Sequence, residues 1–517
     1  MAQQTYPVGI ESFEKLREYG MTYIDKTELI YKLIKNPAYI FLSRPRRFGK
    51  SLLLSTIAAV FQGRRDLFEG LAIDGCDYTW NRHPVFTLNF VNAYTDSVEG
   101  LSAILNAQIA EWERLYGKDD SEWTYAQRLY GVIRRAVANT GERAVILIDE
   151  YDKFLVTSIN NPALNGRFRK MLKPLYATLK AADQYIRFAM ITGVARFSEL
   201  SIFSDLNNLK DISLNEEYGA ICGISEAEIH TTLMAGIGEL GDKLGLTPVQ
   251  TLAKLKDNYD GYHFTSDPTD LYNPFSLLSV LDEKKFADYW FASGTPTFLL
   301  EVLRERAGEV RELFNAVTDG ETLSDISSYT LDPLPLLFQT GYLTIKGYEA
   351  KDDRYRLGIP NGEVRRGLMT GLLPIFSGTD KRQSASFINE FVKEVKNGNP
   401  EGFLRLLKSF LADIPYDLSN NKPEIYFENN LYIIFRLVGL EVTTEYRTSR
   451  GRIDILLQTS DSIYVVELKL DGTAKSAMEQ INSREYMLPF ECDGRRIFKI
   501  GIGFSKRTRN ISRWIIA

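Results

Sequence analysis

Cysteine and histidine are both scarce in this chain, with three of each among its 517 residues. The cysteines are far apart in the sequence, at Cys76, Cys222 and Cys492. Their number and spacing exclude a disulfide framework and the paired ligands of a structural zinc site, so we expect a reducing, cytoplasmic environment. The histidines are equally scattered, which argues against metal centres or catalytic triads built on histidine.

Long apolar runs and a strong net charge are also missing. No segment approaches the ~20 consecutive apolar residues of a membrane span. The start, MAQQTYPVGIESF, lacks the basic-then-apolar pattern of a secretory signal, so we expect no membrane association. The net charge of −5 at pH 7 provides no general attraction to polyanions, and any nucleic-acid site therefore has to be local.

A basic turn links an apolar strand to an apolar helix within Tyr39–Leu54, YIFLSRPRRFGKSLLL. The turn ends in Gly49-Lys50-Ser51, the layout of a phosphate-binding loop in which backbone N–H groups face the anion. We expect Lys50 to reach the β- and γ-phosphates of ATP and the Ser51 hydroxyl to hold Mg²⁺. The residues expected to line this nucleotide site are Arg44, Arg46, Arg47, Phe48, Gly49, Lys50, Ser51 and Leu52.

One position departs from the usual loop pattern, because Arg44 stands where the first glycine is expected. The loop arginines then either contact phosphate or mark a weaker nucleotide binder. A basic surface turn without a ligand is the alternative. We favour phosphate binding because a strand precedes the loop and a helix follows it.

Two carboxylates end the apolar segment Ala144–Glu150, AVILIDE. The segment has the length and composition of a central parallel strand, whose C-terminal tip is where ligands bind. We predict that Asp149 holds Mg²⁺ through water and that Glu150 polarises a water for attack on the γ-phosphate. An ordinary strand end with solvated acids is the alternative.

A further apolar strand, Ile186–Thr192, ends shortly before Arg196. A polar residue at this tip, Thr192, is a candidate sensor of the γ-phosphate, and Arg196 is a candidate arginine finger within the chain or toward a neighbouring subunit. A homo-oligomer is therefore left open, as is the alternative that Arg196 is a surface residue. The alternation of strands and helices predicts a parallel sheet covered on both faces.

Helical patterns dominate from about Ser225 onward. Ser225 with Glu228, and Asp25 with Glu28 earlier in the chain, match the capping box that begins a helix. The aromatic turns YDGYHF and YNPFSLL, which follow in this region, are interpreted as packing corners rather than chemistry.

The length of the chain predicts about three domains. Two short strands, Tyr342–Ile345 and Tyr355–Leu357, predict a hairpin that closes a helical lid or winged-helix-like region, and the polar segment SGTDKRQSA is the best linker. We predict a phosphate-binding domain, a helical lid or winged-helix-like domain, a helical linker and a final domain, at 1–222, 223–376, 377–422 and 423–517.

The last domain reads as a helix, three strands, a helix and a further strand. Asp454 begins one strand and Glu467 ends the next, with Lys469 two residues later. Residues two apart in a strand point the same way, so Glu467 and Lys469 share a face, and a hairpin brings Asp454 alongside. We predict that the two acids bind Mg²⁺ and that Lys469 positions the attacking water at a phosphodiester. A structural ion pair at a sheet edge is the alternative.

Other polar residues support this second site. Glu424 and Glu428, one turn apart on the preceding helix, are candidates for a further metal ligand, and Gln480 is a candidate brace from the next helix. Arg447, Arg450 and Arg452 surround the first acid, and the chain after Asp493 has seven Lys or Arg residues and no acid. This distribution predicts a local contact with a polyanion, with a solvated basic tail as the alternative.

Several of these motifs resemble those of a known family. SRPRRFGKSLLLST, AVILIDEYDKFL, ITGVARFSEL and FQTGYLTI resemble the bacterial AAA-ATPase-like family. TSRGRIDILL and IYVVELKLDGTAKSAMEQI resemble the PD-(D/E)XK-superfamily nuclease domain that usually follows it. The resemblance covers nearly the whole chain. It implies an α/β fold, in which an ASCE-type P-loop NTPase sheet is followed by a helical or winged-helix-like region and a restriction-endonuclease-like α/β domain.

The resemblance also assigns residues to two cores. The ATP- and Mg²⁺-binding core would carry Lys50, Ser51, Asp149 and Glu150, and the nuclease core would carry Asp454, Glu467 and Lys469. We hypothesise an ATP-binding and ATP-hydrolysing protein coupled to a Mg²⁺-dependent nuclease, with DNA favoured over RNA. The alternative is a nucleotide-dependent switch whose C-terminal domain binds nucleic acid or a partner without cleaving. A third possibility is a P-loop that binds nucleotide and barely hydrolyses it.

Overall fold

The computed structural model describes residues 4–90, 97–197, 208–267, 269–293, 299, 302–303, 313, 316–324, 326, 332–377, 381–412 and 441–517. The chain divides into two compact units. The first comprises Met1–Phe298 with Asn315–Asn361, and the second comprises Leu299–Phe314 with Gly362–Ala517. The predicted four-part division of the chain stays a prediction.

A five-stranded parallel sheet organises the first unit. Its strands are β1 (Ala38–Ser43), β2 (Val85–Asn89), β3 (Ala144–Asp149), β4 (Ile186–Gly193) and β5 (Leu209–Asp211). Their order across the sheet is β2-β3-β4-β1-β5, so β4 lies between the strand that precedes the basic turn and the strand that ends in two acids. All six residues of β3 are buried, as expected for a central parallel strand. The predicted parallel sheet is confirmed.

Helices account for most of the rest of the first unit, and a π-helical segment at Ile229–Leu233 leads into one of them. The helices are Phe13–Glu18, Thr27–Ile34, Lys50–Phe61, Val98–Tyr116, Tyr125–Thr140, Lys153–Thr157, Pro162–Ala181, Glu226–Glu228, Met234–Leu244, Pro248–Tyr259, Pro274–Glu283, Tyr289–Ala292, Gly320–Ser324 and Pro333–Gln339. Several of them cover the sheet, because each parallel crossover needs a segment that returns the chain to the same edge.

Two small antiparallel sheets complete the first unit. The strands β6 (Ile224–Ser225) and β7 (Leu271–Tyr272) pair with each other, and β8 (Val317–Thr318), β9 (Thr344–Glu349) and β10 (Arg354–Gly358) form a sheet in the order β8-β10-β9. The hairpin expected at this point is confirmed. The winged-helix interpretation of the region stays a prediction.

The two predicted capping boxes have different outcomes. Ser225 and Glu228 form theirs, with both reciprocal hydrogen bonds present. The box at Asp25 is wrong, because the helix begins at Thr27 and the Asp25 carboxylate instead accepts hydrogen bonds from the backbone N–H groups of Thr27 and Ala72. Asp25 therefore ties two segments together, a contact that a local pattern cannot reveal.

The second unit is built on a mixed five-stranded sheet. Its strands are β11 (Glu441–Thr448), β12 (Gly451–Gln458), β13 (Ser462–Leu470), β14 (Arg496–Ser505) and β15 (Asn510–Ile516), in the order β11-β12-β13-β14-β15. Only β13 and β14 pair in parallel, and the helix Ala474–Ser483 makes the crossover between them and packs on both. The other helices of this unit are Gly362–Ser377, Lys381–Lys396 and Pro400–Ala412. No helix in the described part of the chain is both long enough and apolar enough to cross a membrane.

The helix Val98–Tyr116 offers a matched test of how much its buried face contributes to stability. Leu105 is fully buried and Leu115 is 69% exposed on the same helix. We expect Leu105→Ala to lower the free energy of unfolding by about 2–5 kcal/mol, because it removes buried apolar surface and leaves a cavity. Leu115→Ala is expected to change it by less than about 0.5 kcal/mol. Urea unfolding measures both, and equal effects would contradict the assigned packing.

Candidate functional site

The turn between β1 and the helix Lys50–Phe61 has the backbone of a tight anion-binding loop. Gly49, which precedes the helix, has a φ of 93°, in the left-handed region that favours glycine, and Arg47 has a φ of 65°. The Lys50 side chain is folded under the loop, where its Nζ donates to the carbonyl oxygens of Arg44 at 2.9 Å and Pro45 at 3.0 Å. Burial lowers the pKa of Lys50. The lysine is thus held within reach of any anion that enters the loop.

Asp149, at the end of β3, contacts residues from the phosphate-binding turn and from β4. Its Oδ2 accepts a hydrogen bond from Ser51 Oγ at 2.6 Å, and its Oδ1 accepts one from Thr192 Oγ1 at 2.7 Å. The structure thereby places in one cluster the candidates drawn from the loop, β3 and β4. A hydroxyl and a carboxylate side by side are oxygen ligands of the type that Mg²⁺ prefers, so the residues present fit that cation.

Glu150 follows Asp149 with a left-handed backbone conformation, at a φ of 51°. Its Oε2 lies 3.5 Å from Lys153 Nζ. Glu11, which the sequence analysis did not single out, belongs to the same neighbourhood, because burial and the charge of Asp149 raise its pKa. Glu11 is remote in sequence and matches no local pattern, so only the fold reveals it.

The loop arginines occupy different environments. Arg44 is 1% exposed, and its guanidinium donates to the carbonyl oxygens of Ser43 and Ser213 and lies 4.4 Å from the ring centre of Phe264. This buried position is structural and does not face the loop interior. Arg46 is half-buried, and its carbonyl accepts a hydrogen bond from Trp290.

The Arg47 guanidinium lies 4.9 Å from the ring centre of Phe275 and is exposed. Phe48 is buried against Tyr262 and Phe264. An apolar cavity of about 80 Å³ opens beside the loop, lined in part by Gly49, Leu52, Ile24, Cys222 and Pro274. Leu52 therefore borders an apolar space next to the anion loop.

Arg196 lies away from the carboxylate cluster. Its Nε is 3.4 Å from Asp211 Oδ2, and its backbone N–H donates to Gln339 Oε1 at 2.7 Å. Arg196 therefore contacts the end of β5 and the helix Pro333–Gln339. Thr192, near the end of β4, is instead hydrogen-bonded to Asp149.

The second cluster lies in the second unit, on the adjacent strands β12 and β13. Ile455 pairs with Val466, and continuing this antiparallel register places Asp454 beside Glu467. Asp454 Oδ2 accepts the backbone N–H of Leu468 at 2.8 Å. The structure therefore brings the two predicted acids together, as the hairpin argument requires.

Lys469 and Gln480 complete this cluster. Lys469 Nζ donates to Glu467 Oε1 at 3.2 Å and to Gln480 Oε1 at 2.6 Å. Gln480 in turn donates to the hydroxyl of Tyr486 at 3.4 Å. The helix Ala474–Ser483 carries Gln480, so its packing against β13 and β14 orients the lysine.

The electrostatics of the second cluster favour a cation. Glu467 is 1% exposed, and its Oε2 accepts no hydrogen bond from the described residues. Burial, followed by the neighbouring charge of Asp454, raises the pKa of Glu467 to about 7, and burial also raises the pKa of Asp454. A bare buried carboxylate oxygen beside a second acid fits a divalent cation. Among the described residues, no group of three or more His, Cys, Asp or Glu side chains gathers as a metal site.

A cleft of about 610 Å³ opens over these residues, and Arg452 and Arg484 lie on its wall. Arg450, nearby on the turn, forms an ion pair with Glu485. Guanidinium groups at the wall provide charge for a phosphate backbone. The candidate ligands Glu424 and Glu428 lie outside the described residues.

Comparison with known proteins agrees with this architecture. A family model described as a predicted AAA-ATPase matches residues 7–203, and a model of the PD-(D/E)XK nuclease superfamily matches residues 422–514. The uncharacterized protein in the vnfD 5' region of Azotobacter chroococcum mcd 1 is 33% identical over 534 residues, and the match covers 100% of this chain and 99% of that protein. The chain belongs to the AAA-ATPase-like family. Its C-terminal part belongs to the PD-(D/E)XK nuclease superfamily.

A solved structure is also similar to this AAA-ATPase-like protein. The ORC2 protein of Aeropyrum pernix, described in ADPNP-ADP complexes, has 12% sequence identity and a TM-score of 0.26. The match covers 70% of this chain and 91% of the ORC2 chain.

The aromatic turn YDGYHF of the AAA-ATPase-like unit contacts several charged side chains, which the sequence did not predict. Asp260 is 1% exposed, and the nearby Lys256 Nζ lies 3.8 Å from it, 3.8 Å from Asp270 and 3.0 Å from Glu226. His263 Nε2 lies 2.8 Å from Asp270 Oδ1. Burial raises the pKa of Asp260 to about 7. The turn therefore joins a charge network, in which Asp260 is buried and Lys256, Glu226 and Asp270 are partly exposed, as well as forming a packing corner.

This network predicts a pH-dependent stability. Asp260 has an ordinary pKa of 3.8 and a folded-state pKa of about 7, so the stability that its proton supplies is complete below pH 3.8 and is lost as the pH rises through 7. Asp260→Asn does not titrate. We expect its stability relative to the wild type to rise with pH up to about 7, by at most about 1.4 kcal/mol per pH unit, and to level off above it.

Urea unfolding between pH 4 and pH 8 measures this difference. The exposed Asp257→Asn, on the same helix, is the control and is expected to show no such trend. A flat difference for Asp260→Asn would contradict the assigned burial of its carboxylate.

Proposed function

We propose that this AAA-ATPase-like protein binds and hydrolyses ATP in its first unit and that nucleotide controls Mg²⁺-dependent cleavage of a nucleic-acid backbone in its C-terminal domain. One observation carries the nuclease assignment. Asp454, Glu467 and Lys469 converge on one cleft, and the bare Oε2 of Glu467 is buried there. A buried carboxylate oxygen that is open to a ligand, beside a second acid and a lysine, suits a bound divalent cation.

Each residue of the second cluster has a role in this proposal. Asp454 and Glu467 would hold Mg²⁺, which when bound supplies Lewis-acid stabilisation of charge on a phosphodiester. Lys469, fixed by Gln480, orients the attacking water and carries positive charge toward the phosphate. Arg452 and Arg484 on the cleft wall would contact the phosphate backbone of the substrate, which makes a polyanion the substrate class.

The first cluster fits nucleotide hydrolysis by the same reasoning. Lys50 binds the β- and γ-phosphates, while Ser51 and Asp149 would hold Mg²⁺. Glu150 orients the attacking water, and Thr192, hydrogen-bonded to Asp149, senses the γ-phosphate. The apolar cavity beside Leu52 is the expected position of the nucleobase, because an apolar face beside a phosphate loop suits a flat ring.

The nuclease assignment predicts a specific loss of cleavage. Lys469→Ala should reduce Mg²⁺-dependent cleavage of labelled DNA by about 100-fold or more, because the lysine ammonium group that orients the attacking water is lost. Lys475→Ala, an exposed lysine of the same domain, is the control and should cleave as the wild type does. The assay is run with labelled DNA and RNA, with and without ATP. Equal cleavage by Lys469→Ala and the wild type would remove the assignment.

Metal binding separates a nuclease from a switch that binds without cleaving. Asp454→Asn should weaken Mg²⁺ binding to the second unit by about tenfold or more, since one of two charged ligands becomes neutral. Titration calorimetry is carried out without nucleotide on Asp149→Asn protein, in which the first site has lost its carboxylate ligand, so that the measured heat reports the second site. Unchanged Mg²⁺ affinity in Asp454→Asn would favour the non-cleaving switch.

A further inference from the structure

Two buried residues follow Glu150 in the chain, and neither has a role in the chemistry described above. Tyr151 is fully buried and Asp152 is 1% exposed. A buried carboxylate needs strong partners, and burial raises the pKa of Asp152 to about 6. The side chains of both residues hydrogen-bond to the backbone of one segment, the one that follows β4.

Hydrogen bonds join the two loop segments at the sheet edge. Asp152 Oδ2 accepts the backbone N–H groups of Val194 at 3.0 Å and Ala195 at 2.6 Å. The Tyr151 hydroxyl donates to the Ala195 carbonyl at 2.8 Å and accepts from Phe197 N–H at 3.1 Å. We call Tyr151 and Asp152 with these partners the clamp.

The clamp also reaches the strand tip itself. Tyr151 N–H donates to the carbonyl of Thr192 at 3.1 Å. At the next residue, Gly193, a Cβ atom would lie 2.6 Å from ring carbons of Tyr151 and 2.7 Å from an oxygen of Asp152. Only glycine permits this close approach. The contact of Tyr151 and Asp152 with Gly193 therefore fixes the backbone positions of their chain neighbours, Glu150 and Thr192.

The segment held by the clamp continues to a helix outside the sheet. Arg196 N–H donates to Gln339 Oε1 at 2.7 Å, and the carbonyl of Arg196 accepts from Ile326 N–H at 2.9 Å. Gln339 Nε2 donates to the Leu323 carbonyl at 2.7 Å. Hydrogen bonds and the short backbone segment between them thus connect Tyr151 to the helix Pro333–Gln339.

We infer that Tyr151 and Asp152 are positioning residues, which hold Glu150 and Thr192 in register for ATP hydrolysis and pass the nucleotide state to the helix Pro333–Gln339. The inference rests on the proposed ATP site. Lys50 and Ser51 lie outside the clamp, so its loss affects the chemical step more than nucleotide binding. A shift of Glu150 by about 1 Å is enough for a large loss of rate.

The hydroxyl of Tyr151 gives the sharpest test, because Tyr176 supplies a matched control. Tyr176 is also buried, its ring lies 6.5 Å from that of Tyr151, and its hydroxyl has no hydrogen-bond partner among the described residues. We expect Tyr151→Phe to lower kcat for ATP about 10- to 100-fold, with affinity for ADP within about twofold of wild type. Tyr176→Phe should leave kcat unchanged.

Asp152 adds a graded series. Asp152→Asn keeps an acceptor oxygen for the two N–H groups and should retain more turnover than Asp152→Ala. A merely structural role would lower kcat, ADP affinity and the unfolding temperature together, with no recovery in the asparagine variant. That pattern, or equal kcat in Tyr151→Phe and Tyr176→Phe, would overturn the positioning role.

Hydrogen exchange tests the relay without requiring turnover. Binding of the analogue ADPNP, compared with ADP, should change amide exchange in the helix Pro333–Gln339 of the wild type and of Tyr176→Phe, and Tyr151→Phe should abolish the change. Absence of the change in the wild type would overturn the relay. A wild type that shows the change and yet hydrolyses no ATP would instead overturn the proposed hydrolysis, which keeps the two failures distinct.

Discussion

The hydrogen bonds that Asp149 accepts from Ser51 and Thr192 are the contact on which the first unit's site depends. Ser51 lies just after β1 and Thr192 lies near the end of β4. Parallel strands present their C-terminal ends at one edge of the sheet, so both residues reach Asp149 at the end of β3. The strand order is essential, because β4 lies between β1 and β3 and carries Thr192 into the gap between them. A carboxylate beside a hydroxyl presents oxygen ligands of the type that Mg²⁺ prefers.

The second unit also gathers polar and acidic side chains at one place, but on an antiparallel pair of strands. Asp454 and Glu467 approach each other across an antiparallel pair, so the hairpin register sets their separation. Burial makes two neighbouring negative charges costly, and the structure compensates with a backbone N–H at Asp454 and an ammonium group at Glu467. The remaining oxygen of Glu467 is buried without a hydrogen-bond partner among the described residues.

Arginine in place of the first loop glycine illustrates how an atypical residue is accommodated. The Arg44 guanidinium donates hydrogen bonds to backbone carbonyl groups and lies against an aromatic face. The left-handed backbone conformation before the helix Lys50–Phe61 falls at Gly49. The side chain joins the loop to the segment after β5 and to Phe264, so the departure from the usual pattern serves packing.

Local sequence predicted the periodic elements well. The strands β3 and β4 agree with their predicted bounds to within one residue, because apolar composition and strand length are properties of contiguous segments. Pairing of the two acids with Lys469 also followed from the side-chain period of two in a strand. The capping box at Asp25 failed because a distant backbone group, at Ala72, competes for the carboxylate.

The amino-acid sequence by itself determined which residues can perform chemistry and on which elements they lie, since both depend on side-chain type and local spacing. Only the tertiary structure decided which of them meet. The Asp149 cluster, the Arg44 guanidinium, Glu11 and the Tyr151–Asp152 clamp all depend on contacts between segments far apart in sequence. Such contacts are set by strand order and packing, and a charged side chain's partners, burial and pKa follow from them.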